Sequence, residues 1–301
     1  MMSTETKALS ILSVPFGYGA GRRGTEFGPE AIRLAGLNRQ LKELGFHIDK
    51  EVTLPVPSES GETHPNLKYL NEIIELNTNL AAEVAGVVNQ GAFPLVLGGD
   101  HSIAIGTLGG LVQKYKNLGV IWFDAHADLN TEETSPSGNI HGMSLGVAMG
   151  RGPSLLTQIK GAGPNLKPEN IVLIGTRQLD QGERDFIRSS GIKCFTMHDI
   201  DRKGMSAVMD EALAIVTNGT DGVHLSFDID SLDPLEAPGT GTKIPGGVSY
   251  REAHFALELM CESKKITSAE FVEVNPSLDS GNKTARLAVE LIASLLGQRI
   301  L

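Results

Sequence analysis

Val120-Ile121-Trp122-Phe123-Asp124-Ala125-His126-Ala127-Asp128 opens on four apolar residues and ends with Asp, His and Asp at alternate positions. The apolar part has the length of a buried strand, and the polar part is what such a strand delivers at its carboxyl end. The pattern recurs along the chain. Short apolar runs at Leu9 to Val14, Pro94 to Leu97, Ile171 to Ile174, Val223 to Phe227 and Ala269 to Val274 alternate with longer segments of helical spacing. Those segments are Leu70 to Val88, Ile103 to Tyr115, Met205 to Val216, Tyr250 to Cys261 and Thr284 to Leu296. Alternation of this kind means βαβ units, hence a three-layer α/β fold with a mainly parallel sheet flanked by helices. Weaker runs near Val52 and at Lys193 to Thr196 bring the sheet to about eight strands.

The chain has 301 residues, 41% of them apolar, with 35 glycines, so it can build an interior of ordinary globular proportion. No internal repeat and no Pro- or Ser-rich linker divides it, and one domain over residues 1–301 is expected. Lys and Arg number 26 against 36 Asp and Glu, a net charge of -10, which leaves no general positive field for nucleic acid and favours a cationic small molecule. No apolar run reaches the ~18 residues that a membrane span needs, so no membrane partner is expected. The stretch from Ala8 to Phe16 is interrupted by Ser10 and Ser13 and preceded by Glu5 and Lys7, unlike a secretory core. With only Cys194 and Cys261 as thiols, a reducing, cytoplasmic setting is expected.

The residues just past the strands carry the chemistry. Leu97 runs into Gly98-Gly99-Asp100-His101, Phe227 into Asp228-Ile229-Asp230, and Val272 into Glu273 and Asn275. Ligand sites of open parallel sheets lie outside the carboxyl ends of the strands, so separate strand ends deliver acids and imidazoles to one edge. His101, Asp124, His126, Asp128, Asp228 and Asp230 supply four carboxylates and two imidazoles and no thiolate. Alternation along an extended segment predicts that Asp124, His126 and Asp128 face one side, and likewise Asp228 and Asp230. Carboxylates brought together so closely repel unless cations hold them, and the donor set suits a pair of Mn²⁺ ions, with Co²⁺, Fe²⁺ or Zn²⁺ as substitutes. Taken one at a time, these acids also read as helix caps; their joint occurrence at strand ends favours metal.

Gly98-Gly99-Asp100-His101-Ser102, Asp124 through Thr131, Ser137-Gly138-Asn139-Ile140-His141-Gly142 and Ser226 through Pro234 resemble the ureohydrolase family, most of all its arginase group. The resemblance runs from Arg22-Arg23-Gly24 to Glu273-Val274-Asn275-Pro276. It implies hydrolysis of L-arginine to L-ornithine and urea, two Mn²⁺ per subunit, and a homotrimer or homohexamer. One ion would take His101, Asp124, Asp128 and Asp228, and the other Asp124, His126, Asp228 and Asp230. Three positions depart from the arginase pattern, each expected in a loop near the pocket: Ser144, Gln181 and Lys243.

Guanidinium is a delocalised cation and a poor electrophile, so the resemblance implies an activated hydroxide as nucleophile and a carboxylate to hold the planar fork. Glu273, at its own strand end, is the candidate for bidentate hydrogen bonds. The leaving amine needs a proton, and His141 is the candidate donor, with Asp128 beside it in the catalytic set. His47, His64, His198, His224 and His254 read as structural. Asn130, Ser137 and Asn139 can donate to an α-carboxylate, while Asp180 with Glu183 can meet an α-amine or cap the following helix. Thr242 joins the site by resemblance. Two other readings stay open: an agmatinase or other guanidino-compound ureohydrolase, and a non-catalytic, metal-bound arginine sensor, for which a proton donor would be superfluous.

Overall fold

The computed structural model describes residues 8–61, 64–159 and 166–299. Eight strands form one sheet: β1 (Ala8–Ser13), β2 (His47–Thr53), β3 (Phe93–Leu97), β4 (Leu118–Phe123), β5 (Ile171–Thr176), β6 (Lys193–Thr196), β7 (Gly222–Asp228) and β8 (Ile266–Val272). Their order is β2-β1-β3-β8-β7-β4-β5-β6, and every neighbouring pair is parallel. The central strands β4, β5 and β7 are buried along their whole length, as strands covered on both faces must be. Edge strand β2 instead alternates exposed and half-buried residues, which is why its run reads weakly.

The helices between them are α1 (Gly28–Leu34), α2 (Leu37–Glu43), α3 (Leu70–Asn89), α4 (Ala104–Leu111), α5 (Ser144–Ala148), α6 (Ser154–Thr157), α7 (Gln181–Ser190), α8 (Met197–Lys203), α9 (Met205–Val216), α10 (Tyr250–Ser263) and α11 (Lys283–Leu295). In α3 the residues Leu70, Ile73, Leu76, Leu80, Val84 and Val87 recur at three- and four-residue spacing, and all are buried. That face packs with α4 and the side of the sheet bearing Val96, Val120 and Trp122. On the opposite side α9, α10 and α11 cover Leu95, Ile121, Leu225 and Ala269. Ser249 and Glu252 open α10 as a reciprocal capping box, and Thr196 and Asp199 open α8 in the same way. Among the described residues no helix is long and apolar enough to cross a membrane. Glu5 and Lys7, on which the reading against a secretory segment draws, lie outside the described residues.

Two boundaries differ from the periodicity. The helix expected over Ile103 to Tyr115 is α4 alone, preceded by a 3-10 turn at His101–Ile103 that Asp100 caps through the Ser102 amide. The strand expected to reach Val274 stops at Val272, because Glu273 takes a left-handed backbone with φ 64. The turn after β3 is set by close approach. A Cβ on Gly99 would lie 1.7 Å from the Phe16 carbonyl oxygen, which accepts the Asp100 amide at 2.8 Å. Backbone cannot yield as a flexible side chain does. Gly99→Ala is expected to destabilise the protein by about 3 kcal/mol, the upper part of the overpacking range. Denaturant melts at unchanged m-value check it, and a variant as stable as the parent would refute the contact argument.

Candidate metal centre

Four adjacent strands, β3, β8, β7 and β4, present their carboxyl ends side by side, and the predicted ligands gather there. His101 Nδ1 lies 3.2 Å from Asp124, 3.0 Å from Asp128 and 3.2 Å from Asp228. His126 Nδ1 lies 3.4 Å from Asp124 and 3.2 Å from Asp230. Two donor groups result, His101 with Asp124 and Asp228, and His126 with Asp124 and Asp230; Asp128 adjoins the first. The convergence has a different origin from simple alternation. The strand ends at Phe123, the chain bends through Asp124 to His126, and Asp128 is left-handed with φ 52. Asp124 turns back to accept the His126 amide at 2.7 Å, and Asp228 accepts the Asp230 amide at 2.7 Å. Both short turns are Asx turns, which sets the spacing of the side chains.

The residues fit a pair of cations. His101 Nδ1 and Asp230 Oδ2 are buried and make no well-directed hydrogen bond among the described residues, although carboxylate or imidazole atoms stand within 3.2 Å. Groups so placed share a common focus rather than each other. Burial opposes charge on His101, but the carboxylates of Asp124, Asp128 and Asp228 raise its imidazole well above the usual value. Burial likewise opposes charge on His126, and Asp230 and Asp124 push it up to about 12. Burial, then Asp230 and Asp124, raise Asp228. The two imidazoles in turn hold Asp124 well below the usual carboxylate range, against the effect of its burial.

A cavity of about 200 Å³ opens over this floor, lined by His126, Asp128, Asp228 and Asp230 below and by Asn130, Ser137, Asn139, His141, Asp180, Glu183 and Thr242 around it. A roomier hollow of about 520 Å³ carries Arg177, Arg184, Arg188 and no acid, so room alone does not locate the chemistry. His141 Nδ1 meets Glu273 Oε1 at 3.0 Å, leaving Nε2 for the cavity. Burial disfavours the imidazolium, yet the bond to Glu273 outweighs it and pushes His141 up to about 9. Glu273 departs from expectation. Its Oε1 already accepts the His101 amide at 2.8 Å as well as His141, and only Oε2 is without a partner. A bidentate grip on a guanidinium fork would need both oxygens, so one oxygen is what Glu273 offers.

Asp180 and Glu183 are both cavity lining and helix cap. Glu183 accepts the Asp180 amide at 2.8 Å and the Leu129 amide at 3.1 Å, and burial pushes its carboxyl up to about 7. Asp180 in turn accepts the Asn130 side-chain Nδ2–H at 2.9 Å. Of the departures from pattern, Ser144 begins α5 instead of lying in a loop; its hydroxyl lies 3.4 Å from Asp128 and donates to the His141 carbonyl at 3.1 Å. Gln181 likewise begins a helix, α7, and bonds Asp185 on the outer surface, and Lys243 is exposed.

Some residues of the site are silent in the sequence. Arg177 spans the carbonyls of Asp230, Ser231, Leu232 and Ile244, fixing the turn that carries Asp230. Gln178 lines the cavity, and its position just past β5 is the one signal that marks it.

A model of the arginase family matches residues 7–297. An arginase of Bacillus caldovelox is 53% identical over 300 residues, covering 98% of this chain and all of that protein. The native structure of Bacillus caldovelox arginase superposes with a TM-score of 0.95 at 52% identity, covering 98% of this chain and 100% of the other. An Entamoeba histolytica arginase in complex with L-ornithine gives a TM-score of 0.90 at 36% identity, covering 97% and 99%.

Proposed function

The chain belongs to the arginase family, and on that premise we propose that it hydrolyses L-arginine to L-ornithine and urea at the cavity over the two Asp/His groups. The observation that carries the reading is the pairing of those groups with His141, a proton donor facing the same cavity. One Mn²⁺ would be held by His101, Asp124, Asp128 and Asp228, and a second by Asp124, His126, Asp228 and Asp230. Bound there, the ions would supply an activated hydroxide at neutral pH and offset the charge that develops as it adds to carbon.

The protein's own groups do the rest. Glu273 Oε2, buried and unpartnered, accepts a guanidinium N–H and orients the fork over the floor. Water adds across the bond between the guanidino carbon and the ornithine nitrogen, and that nitrogen leaves with the bonding pair. His141 is positioned to give it a proton from Nε2, so the departing group is neutral amine, not amide anion. Glu273 keeps His141 charged until then. Asn130, Ser137 and Asn139 donate to the α-carboxylate, and Asp180 meets the α-ammonium. The acidic floor, lacking any Lys or Arg among the cavity's lining residues, suits the cationic end of the substrate. The whole chain acts as one domain, and the enzyme is a cytoplasmic homotrimer or homohexamer, which light scattering distinguishes.

The arginase relatives speak against agmatinase as the alternative. The test is kinetic. L-Arginine is expected to exceed agmatine by at least about 10²-fold in kcat/KM, since polar groups that expect a carboxylate are left unpaired without one. Side-by-side assays of arginine, agmatine and 4-guanidinobutyrate after Mn²⁺ loading decide it. Equal efficiency on agmatine would reject the substrate assignment, and binding without turnover would favour a sensor.

A further inference from the structure

Glu270 is a carboxylate fully buried in the centre of the sheet, and the mechanism above does not use it. Burying a charge there without a partner is costly, because desolvation opposes it. Its neighbours show what it is joined to. In the β7–β8 register, Ser226 lies opposite Glu270 and His224 opposite Ser268, so these four side chains form a polar ladder across the two strands. The Ser226 hydroxyl donates to Glu270 Oε1 at 2.7 Å. The same hydroxyl oxygen is 2.7 Å from His101 Nε2. His224 Nε2 stands 3.5 Å from Glu270, and its Nδ1 is 2.9 Å from the Ser268 hydroxyl.

The direction of the relay follows from donor arithmetic. A serine hydroxyl has one proton, and a carboxylate can only accept. That proton is spent on Glu270, so the Ser226 oxygen must receive the Nε2–H of His101. With Nε2 protonated, the neutral imidazole carries its lone pair on Nδ1, the atom that faces Asp124, Asp128 and Asp228. Trp122 fixes the plane of the ring by stacking on it at 4.1 Å and 6° while its indole N–H donates to Asp124 at 3.0 Å. Orientation and tautomer are therefore set by separate neighbours. Burial alone would raise Glu270, but His224 beside it holds it below the usual range, so it stays an acceptor.

We propose that Glu270, acting through Ser226 and partnered by His224, is a positioning residue that fixes the Nδ1-ligating form of His101 and so sets the affinity of the cation held there. This rests on the two-metal reading of the site. Outer groups of this kind are typically worth 10- to 100-fold in metal affinity. The second cation, whose imidazole is His126, does not share the relay.

The test compares wild type with Glu270→Met and Ser226→Ala by Mn²⁺ titration calorimetry and by metal content after gel filtration. Either variant is expected to weaken one site 10- to 100-fold and to fall from about two retained ions towards one. A Ser226→Thr variant, which keeps the hydroxyl, is expected to recover wild-type affinity. Melting temperatures separate positioning from mere packing. Positioning shrinks the rise in Tm on adding Mn²⁺, whereas a packing role lowers the metal-free Tm and leaves that rise intact. Unchanged affinity at both sites in either variant would overturn the proposal. Should Glu270→Met not fold, Ser226→Ala breaks the same link and stands as the test alone. Wild-type protein that binds no Mn²⁺ would instead overturn the two-metal reading beneath it.

Discussion

Prolonged chelation is expected to abolish arginine turnover, and Mn²⁺ to restore it. The floor of the site is four carboxylates and two imidazoles, with His101 Nδ1 within 3.2 Å of three of the acids. Without cations His101, His126 and Asp228 are raised towards their protonated forms, while the two imidazoles hold Asp124 low. Such a floor has no activated nucleophile to offer, and an uncatalysed guanidinium does not react with bulk water on a useful scale. Loading should release protons, measurable in a weakly buffered titration, and should raise Tm by linkage. The ligand assignment adds a finer expectation. Asp124 contacts both imidazoles, so Asp124→Ala should empty both positions, while His126→Ala should empty one. Full activity in metal-free protein would sink the mechanism, and equal stoichiometry in the two variants would sink the bridging role.

His141→Asn is expected to lower kcat by about 10²- to 10⁴-fold, the usual yield of a positioned general acid, with little change in KM or metal content. Asparagine keeps an N–H for Glu273, so the carboxylate is not released from its place. What is lost is the proton at the cavity side of the ring. The same substitution has a pH signature in metal-free protein. His141 is raised by Glu273 to about 9 from an ordinary 6.5, so its charge contributes stability that is full below pH 6.5 and lost as pH rises through 9. The gap in stability between wild type and variant should close over that window. An unchanged kcat with both ions present would make His141 a rim residue only.

The sheet was legible because parallel strands covered on both faces must be apolar throughout, and β4, β5 and β7 are. Lys193 to Thr196 coincides with β6, and Met205 to Val216 with α9. The helices α1, α2 and α8 show no readable pattern because seven residues give too few turns for a period to declare itself. At the site, donor types and strand-end placement pointed to the six Asp and His residues that the structure gathers at one edge, since those depend on local order. Features that depend on distant partners were not legible. Nothing near Glu273 in sequence shows that the His101 amide, 172 positions away, claims one of its oxygens. Nor does the run around Asp128 announce its left-handed backbone, a conformation that Asp adopts more readily than most residues but that its sequence neighbours do not mark.

The position of β8 has a consequence for how the molecule is made. It is the last strand in the chain, yet it lies between β3 and β7, joining β2-β1-β3 to β7-β4-β5-β6. Chains emerge from the ribosome amino end first. Until residue 272 has cleared the exit, the nascent protein is two part-sheets with facing unpaired edges, and His101 and Asp228 belong to different halves. The donor group that includes His101 therefore cannot assemble before that last insertion, whereas Asp124, His126, Asp228 and Asp230 all follow strands of the β7-β4-β5-β6 half. A premature stop before β8 would leave two open edges of the kind that recruit chaperones or aggregate, whereas one falling after residue 297 would leave the sheet closed.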